Sequence, residues 1–179
     1  MRLAEAVGSG DVLAAARCYV AAGLSVIPVK ADGSKSPRFA GWREFSDRLP
    51  TLSELAGWFG EPGDAGIGVV PGPASGNLVV LDFECKGGSS AYTEWLEKLS
   101  AEFKSLLVRC PVVKTPSGGR HVWVRLPEAA PGGRYARYAK GGTKIEVRGE
   151  GHQVLAPGCP AVCHSTGLAY EFDQWGWLL

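Results

Sequence analysis

Long apolar runs, net charge and paired cysteine spacings are all missing from this 179-residue chain, and each gap removes a class of protein. The longest apolar stretches are broken by Gly, Pro or charge well short of the ~18 residues a membrane-spanning helix needs, so no membrane partner is expected. Lys and Arg number 19 against 18 Asp and Glu, a formal charge of +1. No basic field therefore covers the whole surface, and any contact with nucleic acid has to come from local patches. Five cysteines make an odd set without repeated spacing, and no secretory signal precedes them, which argues for reduced thiols and a cytoplasmic setting rather than a disulfide framework. Internal repeats and low-complexity blocks are also absent. What is there, 45% hydrophobic and 21% charged residues, is the composition of a soluble globular protein, and the length suits one domain over residues 1 to 179.

Hydrophobic spacing divides the chain into elements. Residues 11 to 22 set Val12, Ala16, Tyr19 and Val20 on one helical stripe that Gly23 ends. The next segment, "LSVIPV", reads as a strand whose Pro28 marks an edge or an end. "KADGSKSPRFAGW" follows as a basic loop with Lys30, Lys35 and Arg38. Thr51 and Glu54 form a capping-box pattern at the start of a short helix. "GIGVV" and "NLVVLDFE" read as strands joined by the turn-rich "PGPASG". From Ser90 to Leu107, apolar residues recur at three and four, which predicts one long helix. Four short strand-like segments follow, "PVVKT", "RHVWVRL", "TKIEVRG" and "HQVLAP", with residues 127 to 143 read as an insertion rich in Gly and Pro. This order predicts an α+β fold with a mostly antiparallel sheet.

The stretch "VVLDFECKGG" runs an apolar strand into two carboxylates. Strand alternation points Asp82 and Glu84 one way and Leu81 and Phe83 the other. Two such carboxylates repel, and each tends to hold a proton unless a cation lies between them. Hard oxygen donors on one edge suit Mg²⁺ or Mn²⁺, ions that commonly hold a triphosphate. The plainer alternative is that the pair starts a solvent-exposed loop. In "TPSGGRHVWVR" a Gly-Gly turn leaves backbone N–H groups open to an anion, and His121, Trp123 and Arg125 share the face opposite Val122 and Val124. Lys144, Glu146 and Arg148 alternate with Ile145 and Val147 in the same way. The three strands together suggest one charged floor over one apolar core.

These segments, with "CYVAAGLSVIPVKADGSKSPRFAGW" before them, resemble in order and spacing the bifunctional primase-polymerase domain of the archaeo-eukaryotic primase superfamily, from about Ala14 to Trp175. The resemblance implies an RNA-recognition-motif-like sheet beside a smaller αβ unit, and primase or polymerase activity that adds nucleotides from dNTP or NTP to a 3′-hydroxyl as directed by a single-stranded DNA template. It implies Asp82, Glu84 and Glu146 as the acids holding two Mg²⁺ or Mn²⁺ ions, with Glu146 where many members carry Asp. His121, with Ser117, Gly118 and Gly119, falls on the nucleotide-binding motif. Arg120, Lys144 and Arg148 are further phosphate contacts by the same resemblance, and Lys35 matches its Lys-x-Pro.

For the template, "GGRYARYAKGG" sets Tyr135 and Tyr138 among Arg134, Arg137 and Lys140, aromatic faces between cations that suit a single strand. The competing reading is one helical turn with packed tyrosines and solvated charges. Cys159, Cys163 and His164 invite zinc, but a Cys directly followed by His would strain to share one ion, and Cys18, Cys85, Cys110 and His152 supply no paired spacing, so zinc is not expected. The chain has no Walker-type motif and no helical extension after Trp175. A helicase domain or replication partner would come from a longer protein or another chain. Two other functions stand beside the transferase: a module that binds single strands or nucleotides without turnover, and a metal-dependent phosphohydrolase.

Overall fold

Caps and turn formers start and stop most of the elements. The structure, a computed structural model, describes residues 2–61, 65–86, 89–137 and 143–176. Helix α1 (Leu3–Ser9) precedes α2 (Val12–Ala21), whose first turn is capped by Asp11 accepting from the Ala14 N–H at 2.9 Å. Gly23, at φ +73°, turns the chain into β1 (Ser25–Lys30). A 3₁₀ segment (Ala40–Ser46) and α3 (Leu52–Phe59) follow, and the Thr51–Glu54 capping box is formed in both directions. Strands β2 (Ala65–Val70) and β3 (Leu78–Phe83) come next, then the short pair β4 (Cys85–Lys86) and β5 (Ser89–Ser90). Helices α4 (Ala91–Lys98) and α5 (Ala101–Leu107) lead to β6 (Val112–Lys114), β7 (Arg120–Arg125), β8 (Gly133–Arg137), β9 (Thr143–Arg148), β10 (Val154–Leu155) and β11 (Glu171–Gln174).

The strands form a three-stranded sheet of order β1-β2-β10, a six-stranded sheet of order β11-β6-β7-β3-β9-β8, and the β4-β5 pair. Every ladder between these strands is antiparallel, consistent with the α+β expectation. Pro28 lies in β1, an edge strand, where its missing N–H costs no ladder bond on the open side.

Several expectations change. The helix expected from Ser90 to Leu107 is broken: Leu99 is extended, and Ser100 accepts from the Phe103 N–H to start α5. An internal N-cap overrides the apolar spacing that runs through it. Within the expected insertion, residues 133–137 form β8 on the open edge of the large sheet, a place where weak strand formers are tolerated. Strand β11 also lies outside the sequence reading. Strands β2 and β3, joined through a 3₁₀ turn at Pro73–Ser75 within the turn-rich segment, belong to different sheets.

The single charged floor gives way to a sheet packed on both faces. Trp123 and Val80, on the same face as His121 and Asp82, are fully buried in a core shared with Tyr19 of α2, Leu55 of α3 and Ile67 of β2. The opposite face carries Phe83, Val122 and Ile145 under Ala91 of α4. Two helical layers and a second sheet thus enclose the strands, and the charged residues occupy only one end of the inner face.

Candidate active site

Register, not proximity in sequence, assembles the acids. Asp82 on β3 lies directly opposite His121 on β7 and directly opposite Glu146 on β9. Residues opposite one another in an antiparallel ladder share a face, so the three side chains stand in one row across three strands. The Glu84 N–H donates to the Lys144 carbonyl at 3.0 Å, which carries the β3 ladder one step further and keeps Glu84 on the Asp82 face.

A cleft of about 230 Å³ opens over the Asp82 and His121 end of this row, lined among others by Lys35, Glu84, Ser117 and Arg148, while Glu146 stands beside it behind Arg148. The Asp82 side chain is only 14% exposed, with His121 Nε2 at 3.5 Å from Oδ1. Arg148 approaches from β9: its Nε and Nη2 lie 3.4 Å from Asp82 Oδ2, and Nη2 lies 3.0 Å from Glu146 Oε2. Burial works to raise the Asp82 carboxyl, but His121 and Arg148 beside it more than offset this and hold it below the usual range. Glu84 moves the other way: burial, then the charge of Asp82, pushes it above its ordinary value against the pull of Lys35, Arg148 and His121. Two neighbouring carboxyls are thus driven apart in proton affinity, a pattern common where charge is put to use.

The 115–119 turn closes one wall. The Gly118 N–H donates to the Thr115 carbonyl, and the Thr115 and Ser117 hydroxyls lie 3.4 Å apart. Gly119 is required by close approach, since a Cβ there would stand 2.2 Å from the Phe83 carbonyl oxygen. Lys35 closes the other wall at φ +60°, a left-handed conformation that costs a non-glycine residue energy. Its carbonyl accepts from Gln153 Nε2 at 2.8 Å. Gln153 passes over Gly68, where a Cβ would sit 2.7 Å from its Oε1. Neither Gln153 nor Tyr170, whose ring lies 5.8 Å from both His121 and His164 and whose hydroxyl is pushed up by burial, was among the residues expected at the site. Tyr170 could be noticed as an aromatic near the end of the match, but nothing local in the sequence marks Gln153.

Other candidates stand elsewhere. Arg120 is opposite Phe83, hence on the outer face, and pairs with Asp173 at 2.7 Å. Lys144 pairs with Glu94 of α4 and lines a separate groove with Trp95 and Tyr135. Strand alternation sends Arg120 away from the cleft, and the α4 carboxylate draws Lys144 away. Of the residues expected at a template, Arg134 lies opposite Glu146 on the neighbouring edge strand, while Tyr135 and Arg137 line the α4 groove. Tyr135 is 73% exposed on a strand rather than packed in a helical turn. Tyr138 and Lys140 lie outside the described residues.

The donor chemistry of Asp82, Glu84 and Glu146, all carboxylate oxygen, fits a hard divalent ion. Among the described residues no three His, Cys, Asp or Glu side chains stand together as a ready-made metal cage, and Arg148 bridges Asp82 and Glu146. Cys159 and Cys163 are buried side by side against Gly66, and His164 turns its Nδ1 to the Thr166 hydroxyl at 2.8 Å.

Compared with known proteins, the chain matches a family described as "Bifunctional DNA primase/polymerase, N-terminal" over residues 16–174. No curated protein matches it.

Proposed function

The chain belongs to the bifunctional DNA primase/polymerase family, and from that premise we propose that it is a template-directed nucleotidyl transferase whose reacting centre is the cleft over Asp82. At the family level the activity is of primase/polymerase type, with nucleotides and nucleic acid as substrates. The observation that carries the finer reading is the row His121–Asp82–Glu146, set by strand register, whose Asp82 and His121 line a cleft that also receives Lys35, Ser117 and Arg148. A site that places acids on one floor and cations on its rim suits a triphosphate bound between them.

In this reading the chain is a single catalytic domain. The six-stranded sheet is its RNA-recognition-motif-like platform, and the three-stranded sheet with α1 to α3 is the smaller αβ unit. Asp82, Glu84 and Glu146 would hold Mg²⁺ or Mn²⁺, which when bound would acidify a 3′-hydroxyl and neutralise the leaving pyrophosphate. The protein's own groups position the reactants. Lys35 and Arg148 offer charge to phosphate oxygens, and the Ser117 hydroxyl offers a neutral donor. His121, beside Asp82 and against Tyr170, orients a phosphate or its acid partner. Arg134 sits one strand from Glu146, where a template could meet it, with Tyr135 and Arg137 continuing along the same edge.

The test is incorporation of labelled nucleotide on primed and unprimed single-stranded templates with Mn²⁺ or Mg²⁺, comparing the native protein with Asp82→Asn. Template-dependent product is expected from the native protein, reduced about 10²-fold or more in the variant, the scale of removing one group that stabilises transition-state charge. Pyrophosphate or phosphate release that ignores the template would favour a phosphohydrolase, and tight binding without product a module without turnover. The unprimed lane separates primase from polymerase.

A further inference from the structure

Arg148 occupies an unusual position for a residue meant only to meet phosphate. A single nitrogen, Nη2, lies 3.0 Å from Glu146 Oε2 and 3.4 Å from Asp82 Oδ2, while Nε reaches the same Asp82 oxygen at 3.4 Å. One guanidinium therefore spans the two carboxylates that the β3–β9 register sets face to face. The side chains are sheltered, 30% exposed for Arg148, 21% for Glu146 and 14% for Asp82, so their charges are poorly screened. Arginine cannot discharge itself by losing a proton. It must stay paired or move.

We propose that Arg148 is an exchangeable counter-ion: it neutralises Asp82 and Glu146 in competition with a divalent cation, and passes to the triphosphate when nucleotide and metal bind. The inference rests on the metal and nucleotide reading of the cleft given above. Three features support the exchange. The acids are hard oxygen donors that suit a divalent ion, yet no three acidic, His or Cys groups among the described residues stand ready to hold one. Arg148 also lines the cleft shared with Lys35 and Ser117, so its planar fork is placed to meet an anion bound there. Its backbone stays put during such a move, because Ile145 of the same strand is buried and β9 is paired on both sides. The side chain alone swings.

The consequence is a coupling of two ligands. Metal entering by itself must evict a cation that has nowhere better to bind; metal entering with a triphosphate releases Arg148 onto phosphate. Each ligand then raises affinity for the other through this one residue.

The experiment measures Mn²⁺ binding without nucleotide, by electron paramagnetic resonance of the free ion, for the native protein, Arg148→Gln, Arg148→Lys and Asp82→Asn. Arg148→Gln is expected to bind Mn²⁺ about tenfold more tightly, the scale on which groups around a metal site change affinity, and Arg148→Lys to stay near native because the charge remains. In the same variants, a non-hydrolysable nucleoside triphosphate with Mn²⁺ should bind more weakly to Arg148→Gln. Thermal melts supply a second readout: Arg148→Gln should melt lower in chelator, where Asp82 and Glu146 repel unrelieved, and gain more than the native protein on adding Mn²⁺. Equal or weaker Mn²⁺ binding by Arg148→Gln, while Asp82→Asn abolishes it, overturns the exchange and leaves the metal reading standing. Mn²⁺ binding that does not depend on Asp82 in any of the proteins overturns the metal reading and the exchange with it.

Discussion

The two faces of β3 use neighbouring residues for opposite ends. On the inner face Leu78, Val80 and Asp82 look toward α2, α3 and the three-stranded sheet, with Trp123 and Tyr19 fully buried among them. On the outer face Leu81 and Phe83 look toward α4, where Tyr92 and Trp95 pack at 5.5 and 4.9 Å from the Phe83 ring. The inner face is closed by a second sheet, whereas α5 buries none of its residues, and Phe103 and Leu106 remain 59% and 51% exposed. Enclosure makes charge expensive and therefore selective. Asp82 survives there only because His121 and Arg148 answer it, which is the condition under which a carboxylate gains a shifted proton affinity. The outer face imposes no such demand.

The contrast is broken most directly at Trp123. Trp123→Ala is expected to cost about 3–5 kcal/mol of folding free energy, because the inner core cannot collapse into so large a void, and denaturant unfolding would read it. Trp123→Phe should cost much less, since it removes an indole N–H that is buried without a hydrogen-bond partner among the described residues. A loss of less than 1 kcal/mol in Trp123→Ala would mean the inner face is not the dominant core.

Proton affinities sharpen the comparison next. Carbon NMR of the carboxyl groups should place Asp82 below and Glu84 above their ordinary values, with Glu84 moving down in Asp82→Asn as the neighbouring charge is lost. The signs for stability are opposite. Asp82, lowered in the folded protein, contributes stability above its unfolded value that is lost as pH falls through its folded one. Glu84, raised in the folded protein, contributes on the acid side and loses that contribution as pH rises through its folded value. Coincident titration of the two groups would undo the account of an enclosed, polarised site. The smallest effect belongs to the outer face: Leu106→Ser should change stability by no more than about 0.5 kcal/mol, as expected at an exposed position. A larger loss would show that α5 is held more firmly than its exposure implies.

Much of this was legible because it is local. The Thr51–Glu54 capping box, the stop at Gly23 and the shared face of Asp82 and Glu84 depend on residues within four of each other. The break at Ser100 was written locally too, but the apolar spacing across it pointed to a continuous helix and hid the cap. Strand β8 was obscured by flanking glycines, since an edge strand borrows its order from the ladder with β9. The same partition governs the site. Alternation alone determined which side chains of each strand could work together, and motif order was enough to suggest the family. Only the tertiary structure decided that β7 and β9 flank β3, that Arg120 and Lys144 turn away, and that Lys35 is held over the cleft by Gln153, the residue before β10. Period and caps are properties of neighbours along the chain, whereas sheet order and desolvation arise from pairings between residues far apart in it, such as the bond from Gln153 to Lys35 across 118 positions.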